Sequence, residues 1–369
     1  MRATKALIHL DRFCRNMEIL RERIGPDPAI CVPVKADAYG HGAVPVARAA
    51  LAMGAGCLAA ASVQEGEELR AAGIACPILL LSQPLPEELP QILAAELCPL
   101  VSDREFIEAA GRAAAGGILP VHLKIDTGMG RMGCRPGEAA ELAGYIRGFK
   151  SLGLAGTATH LAAADSPLEE DLRYTREQLR RFRGAVADIR AAGIDPGIVH
   201  AANSGAVVFH DEARFDMVRP GIALYGYSPG KGSPRALPVE PVMEFQTRVV
   251  FIKEVKKGES LSYGRTWTAP RDTRIATLPA GYADGLPRGL SGSHSVYIRG
   301  LPYPLAGRIC MDQCMADLGP DSDIRRWEEA SLFGGSGPGA DDVASKLATI
   351  PYEITCHINK RVPRVYTGI

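Results

Sequence analysis

The chain has 369 residues, 46% of them hydrophobic and 23% charged, enough to bury one large core or two ordinary ones. Lys plus Arg and Asp plus Glu both number 42, so no global field gathers nucleic acid or an anionic membrane surface, and a small molecule is the expected partner. The first residues reach Asp11 too soon for a secretory apolar region and no window approaches a membrane span, which predicts a cytoplasmic protein.

Met1–Leu10 reads as an N-terminal strand that joins a later β domain. From Ala29 to about Gly226 short apolar runs alternate with longer amphipathic stretches, the pattern of βα units. The runs end near Val34, Ala60, Leu81, Val101, Ile125, Thr159, Val199 and Val218. Helical patterns lie between them at Val44–Met53, Val63–Ala72, Asp103–Ala115 and Leu168–Ala192, with Gly54, Gly73, Gly116 and Gly193 as helix-ending glycines. Eight repeats predict a (β/α)8 barrel over residues 11–228, with a doubly wound open sheet as the alternative. Ser228-Pro229-Gly230-Lys231-Gly232-Ser233-Pro234 suits a linker. Residues 235–369 are expected to be mostly β, with alternating segments at Phe245–Val255, Arg274–Leu278 and Ser295–Ile298 and a short helix at Asp341–Ala348. The nine cysteines are scattered, mostly inside apolar runs, and read as small buried hydrophobes; no metal is expected, the Cys310/Cys314 spacing lacking a partner cluster.

Barrel active sites form at the C-terminal ends of the strands. The residues just past the predicted strand ends include Lys35 to Gly42, Asp126 to Arg131, His160, Ala202-Asn203-Ser204-Gly205 and Arg219-Pro220-Gly221-Ile222. They are basic, polar or glycine-rich and carry no acidic cluster, which suits a phosphorylated cofactor better than a divalent metal. Lys35, partly desolvated at a strand end, could present a neutral amine for a Schiff base, the reaction of a pyridoxal phosphate lysine; on position alone a surface lysine is the alternative.

The segment Val34-Lys35-Ala36-Asp37-Ala38-Tyr39-Gly40-His41-Gly42 resembles the cofactor-lysine segment of alanine racemases. Lys124 to Arg131, His200 to Ser204, Val218 to Ile222, Ser262-Tyr263-Gly264, Gly281 to Gly285 and Cys310 to Gln313 resemble further segments of that family in the same order, across essentially the whole chain. The resemblance implies a pyridoxal 5'-phosphate barrel plus a β domain, acting as a homodimer with shared active sites, interconverting L- and D-alanine and supplying D-alanine for peptidoglycan. It implies that Lys35 binds the cofactor, that Tyr39, Ser204, Gly221, Ile222 and Tyr352 surround the phosphate beside Asn203, that Arg219 faces the pyridine nitrogen, and that His160 stacks on the ring. It further implies that Lys35 and Tyr263 are the two bases, that Arg131 and the Met311 backbone bind the substrate, that Asp312 orients its neighbours, and that Lys124 is a site of possible carbamylation.

A guanidinium opposite the ring nitrogen only donates, so the nitrogen stays unprotonated and the ring is a weaker electron sink. That restraint suits a racemase, because it disfavours transamination. Tyr263 needs positive charge or hydrogen bonds to act as a base near neutrality, and Arg131, His160 and Arg219 are the available supports. Pro33 and Leu161-Ala162-Ala163-Ala164 depart from the family pattern and affect local packing. The competing readings are a serine or broad-specificity racemase of the same family, a decarboxylase on the same barrel, which the missing glycine-run phosphate loop opposes, and a non-catalytic pyridoxal phosphate carrier, which the β domain opposes.

Overall fold

The computed structural model describes residues 2–230 and 233–368, so Met1, Ile369 and the linker residues Lys231 and Gly232 lie outside the described residues. The chain divides into two compact units, one of Phe13–Ala38 and Ala43–Val239 and the other of Met1–Arg12, Tyr39–Gly42 and Glu240–Ile369.

After β1 (Lys5–His9), which belongs to the second unit, eight strands of the first unit close into a parallel barrel: β2 (Ala29–Pro33), β3 (Cys57–Ala60), β4 (Ile78–Leu80), β5 (Cys98–Val101), β6 (Leu119–Lys124), β7 (Leu152–Ala158), β8 (Ile198–His200) and β9 (Met217–Val218). Pairing of β9 with β2, Met217 opposite Ala29 and Val218 opposite Ile30, closes it and excludes the open sheet. The strands end within a residue of the expected positions, because a parallel strand covered on both faces must be a continuous apolar run. Ser62 caps the helix Val63–Ala71, accepting from the Glu65 amide while the Glu65 carboxylate accepts from the Ser62 amide. Asp103 likewise caps Arg104–Ala113. Gly54, Gly73 and Gly193 adopt the left-handed conformation that ends a helix. Gly116 does not: Arg104–Ala113 stops earlier, with the Ala114 amide donating to Ala110.

The second unit is mostly β. A six-stranded sheet runs in the order β16-β15-β18-β10-β1-β19, beside a three-stranded sheet β11-β14-β17 and a two-stranded ribbon β12-β13. The strands are β10 (Met243–Arg248), β11 (Phe251–Val255), β12 (Ser260–Leu261), β13 (Trp267–Thr268), β14 (Thr273–Leu278), β15 (Ser295–Ile298), β16 (Leu301–Pro304), β17 (Cys314–Gly319), β18 (Glu329–Phe333) and β19 (Arg364–Thr367). β1 is inserted between β10, antiparallel, and β19, parallel. Short helices lie at Ala340–Lys346, where one was expected, and at Pro351–Cys356, where none was.

Two expectations need correction. The run Phe245–Val255 is not one strand: the chain passes from one sheet to another at Val249-Val250, whose amides donate to Glu328 and Thr277. Tyr39–Gly42, expected within the 11–228 barrel stretch, clusters with the second unit. There the Gly40 carbonyl accepts from Arg364 at 3.0 Å, and a Cβ on Gly40, whose φ is +84°, would stand 2.1 Å from the Thr355 carbonyl oxygen. No helix among the described residues is long and apolar enough to cross a membrane.

Candidate active site

In the barrel unit the C-terminal strand ends gather Lys35, Lys124, Arg131, His160 and Arg219. Lys35 follows β2, and Ala36, Asp37 and Ala38 after it form a left-handed turn with φ of 52°, 53° and 52°. Such a run is costly for residues with a Cβ and persists where the surroundings over-determine it. The Asp37 carboxylate accepts from the Ala43 amide at 2.8 Å and Glu65 from the Ala36 amide at 2.7 Å, which holds the turn from outside.

Arg219 is buried, and its guanidinium donates to the carbonyls of Thr159 at 2.8 Å and Ala201 at 3.1 Å. It also meets His200 Nδ1, and lies 3.4 Å from His160 Nδ1. Burial pulls its pKa down to about 10, so it remains a cation near neutrality. Because a guanidinium can only donate, His200 Nδ1 is the acceptor and Nε2 carries the proton. That proton points at His122 Nδ1, 2.7 Å away. The result is a directed chain from Arg219 through His200 to His122. Burial first, and the Arg219 charge second, push His122 down to about 4 and His200 well below its ordinary value, so both are neutral.

His160 is pushed down to about 2 by burial and then by Arg219, Lys124, Arg131 and Lys35. These four basic groups make the barrel mouth electropositive, with the Arg219 and Arg131 guanidiniums as its permanent cations. His160 therefore offers a neutral imidazole and supplies no positive charge of its own. Lys124 is 4% exposed, its Nζ donates to the Ile125 carbonyl at 3.2 Å, and burial with the neighbouring Arg219 charge lowers it to about 7. Arg131 is exposed at the end of a loop that Asp126 ties down by accepting from the Gly128 and Gly130 amides. Gln178 braces the same loop, bonded to Thr127 and to the His160 carbonyl.

Ser204 is 3% exposed, and its Oγ accepts from the amides of Gly221 at 2.8 Å and Ala223 at 3.3 Å. The hydroxyl proton is left to donate. The buried Ile222 amide makes no hydrogen bond among the described residues. Two buried donors in the unit that carries these basic groups fit an anionic group such as a phosphate. Asn203 is committed to shaping this loop, its carbonyl oxygen accepting from the Ala206 amide and its amide nitrogen donating to Leu161.

In the second unit Tyr39 and Tyr352 face each other with ring centroids 5.7 Å apart, and burial raises the Tyr39 phenol well above its ordinary value, keeping it a neutral donor. Tyr263 is 69% exposed. Its flanks hold it outward: Ser262, Gly264 and Arg265 have φ of 67°, 72° and 51°, and Ser262 Oγ donates to the Arg308 carbonyl at 2.8 Å. Met311 is also exposed, and its carbonyl accepts from the Ala283 amide while that of Cys310 accepts from Tyr282. Tyr282, an exposed ring that sequence reasoning missed, thus stands beside Met311. Asp312 binds Arg361 at 2.8 Å, and Arg361 in turn reaches the fully buried Asp284 at 2.7 Å, which also receives Arg2 at 2.6 Å. Asp312 therefore orients an arginine. His122, His200 and Asp284 were not singled out beforehand; each lies inside a motif quoted above or one residue pair from it, but its role depends on partners far along the chain.

A family model of the alanine racemase N-terminal domain matches residues 8–229, and one of the C-terminal domain matches residues 242–366. An alanine racemase of Treponema denticola is 50% identical over 374 residues, spanning 99% of this chain and 98% of its own. Among solved structures, an alanine racemase of Clostridium difficile superposes with a TM-score of 0.94 at 36% identity, covering 100% of this chain and 96% of its own. Alanine racemase from the D-cycloserine producer Streptomyces lavendulae superposes with a TM-score of 0.91 at 38% identity, covering 100% and 98%. With both domain models matched end to end around an electropositive barrel mouth, the chain belongs to the alanine racemase family.

Proposed function

We propose that this protein interconverts L- and D-alanine with pyridoxal 5'-phosphate, using Lys35 and Tyr263 as bases on opposite faces of the substrate Cα. The observation that carries the reading is the convergence of Lys35, Lys124, Arg131 and Arg219 on the neutral His160 at the strand ends, beside the unmatched donors of Ser204 and Ile222. Bound there, the cofactor supplies an electron sink that acidifies the Cα proton. Lys35 would anchor it, and Ser204, Ile222, Tyr39 and Tyr352 would hold the phosphate as hydrogen-bond donors. Arg219 would serve the ring nitrogen as an obligate donor, its plane kept from rotating by the carbonyls of Thr159 and Ala201 together with the His200–His122 chain.

Racemisation requires one base per face, because a proton removed and returned on one side regenerates the starting enantiomer. Lys35 Nζ takes the proton from D-alanine and Tyr263 Oη takes it from L-alanine, each returning it on its own face. Arg131 pairs with the substrate carboxylate and lowers the cost of the Tyr263 phenolate. An unprotonated Lys124 is the reactive form toward CO2, so its depressed pKa supports carbamylation there, which would supply an anionic partner for Arg131. Tyr263 belongs to a different compact unit from Lys35 and presents its ring to solvent. This supports a homodimer in which each site takes Lys35 from one subunit and Tyr263 from the other. The D-alanine formed would serve peptidoglycan synthesis.

Incubating the purified protein with single L-amino acids and assaying each D-enantiomer by chiral chromatography tests the reading. D-alanine should form fastest; faster formation of D-serine, or no D-product with added cofactor, would overturn it.

A further inference from the structure

The layer of the barrel interior beneath the Arg219–His200–His122 chain is rich in sulfur. Barrel interiors are ordinarily filled by layers of bulky branched side chains, yet here Cys31 of β2, Cys98 of β5 and Met217 of β9 are buried in one interior cluster, with Cys57 of β3 packed against it. Cys31 and Cys57 are direct partners in the β2–β3 register. Cys57 Sγ stands 3.5 Å from Met217 Sδ. None of these cysteines is in a disulfide.

We propose that this layer of the barrel interior binds one soft monovalent cation of the Cu(I) class, held by the thiolates of Cys31 and Cys57 and the thioether of Met217. Thiolate and thioether sulfur select Cu(I) over harder ions. Among the described residues no three His, Cys, Asp or Glu side chains are placed to hold a metal ion together, so the four-ligand tetrahedral set that structural zinc requires is not formed. Two thiolates with one thioether meet the lower coordination number of a soft monovalent ion. Binding proceeds as two thiols plus one cation giving a bis-thiolate complex of net charge −1 and two protons released to water; no electrons are exchanged. Cys57, the first residue of β3, is only partly buried and gives the ion its entry.

The site lies directly beneath the catalytic mouth: Met217 pairs with His200, whose ring meets Arg219, and Arg219 itself follows Met217 by two residues. The Arg219 cation partly balances the net charge of the bound complex.

The test is a titration of the reduced holoenzyme with Cu(I) under anaerobic conditions, in competition with a chromophoric Cu(I) chelator, and with Ag(I) as a redox-inert parallel. One equivalent should be retained, with a sulfur-only shell by X-ray absorption. Cys57→Ser, at a partly buried position that leaves the core filled, should weaken retention more than about 100-fold, beyond what loss of an outer-shell partner costs. The near-isosteric Met217→Leu should weaken it by about tenfold or more while keeping the wild-type melting temperature. Cys356→Ser, at an exposed position outside the barrel, should bind as the parent. Failure of the wild type to hold Cu(I), undiminished binding by Cys57→Ser, a nitrogen or oxygen shell, or Zn(II) binding of equal strength would each overturn the proposal.

Discussion

Lys124 offers a stability experiment whose sign and size follow from its surroundings. The folded chain releases the Lys124 proton near pH 7, against an ordinary value of 10.5. Between these values the unfolded state binds more protons, so stability rises with pH across that window. At pH 7 the buried amine costs about 4 kcal/mol, and at pH 9.5 about 1 kcal/mol. Lys124→Met removes this cost and forfeits only the bond to the Ile125 carbonyl, worth about 1 kcal/mol. The variant should therefore be about 3 kcal/mol more stable than the parent at pH 7 and equal to it at pH 9.5. Urea unfolding followed by circular dichroism, in carbonate-free buffer so that the amine stays unmodified, reads both values. A difference that is constant between pH 7 and 9.5 would show that the folded chain does not depress this lysine.

Borohydride reduction of the yellow holoenzyme should fix the cofactor to Lys35, and a peptide map placing the adduct on another lysine would remove its assignment. Tyr263→Phe should nearly abolish solvent exchange of the Cα proton of L-alanine while sparing that of D-alanine, read by NMR in deuterium oxide; equal rates for both would eliminate Tyr263 as a base. Lys35→Ala and Tyr263→Phe, inactive alone, should recover about a quarter of wild-type activity when unfolded together and refolded as a mixture, since about half the dimers are mixed and each has one intact site. No recovery despite proven subunit exchange would place both bases in one chain. Gly40→Ala should cost about 2–5 kcal/mol, combining a left-handed alanine with a clash against the Thr355 carbonyl. Its thermal midpoint should fall by several degrees, and an unchanged midpoint would mean that this turn is free to relax.

The barrel was legible because its strands are short apolar runs separated by amphipathic helices, and covered parallel strands admit no other composition. The rule that barrel chemistry gathers at strand ends then led to Lys35, Arg131, His160, Ser204 and Arg219 without coordinates, whereas Lys124 came only from the family resemblance. The left-handed turn after Lys35 was not legible, since Ala36, Asp37 and Ala38 have no local preference for it and the contacts of Asp37 and Glu65 hold it in place. Nor was the break at Val249-Val250, where two β-branched residues read as continuing strand but bond to different sheets.

Local sequence thus determined the elements and the residue types at their ends, because periodicity and strand-end position act over a few residues. Tertiary closure decided the rest. Cys31, Cys57 and Met217 are separated by up to 186 positions in the chain, and only the β9–β2–β3 pairing brings their sulfur atoms together. His122 and His200, 78 residues apart, become links of the chain that fixes Arg219 for the same reason. A side chain's protonation state is set by what surrounds it in space, and neither burial nor a neighbouring charge from a distant strand is written in the residues beside it.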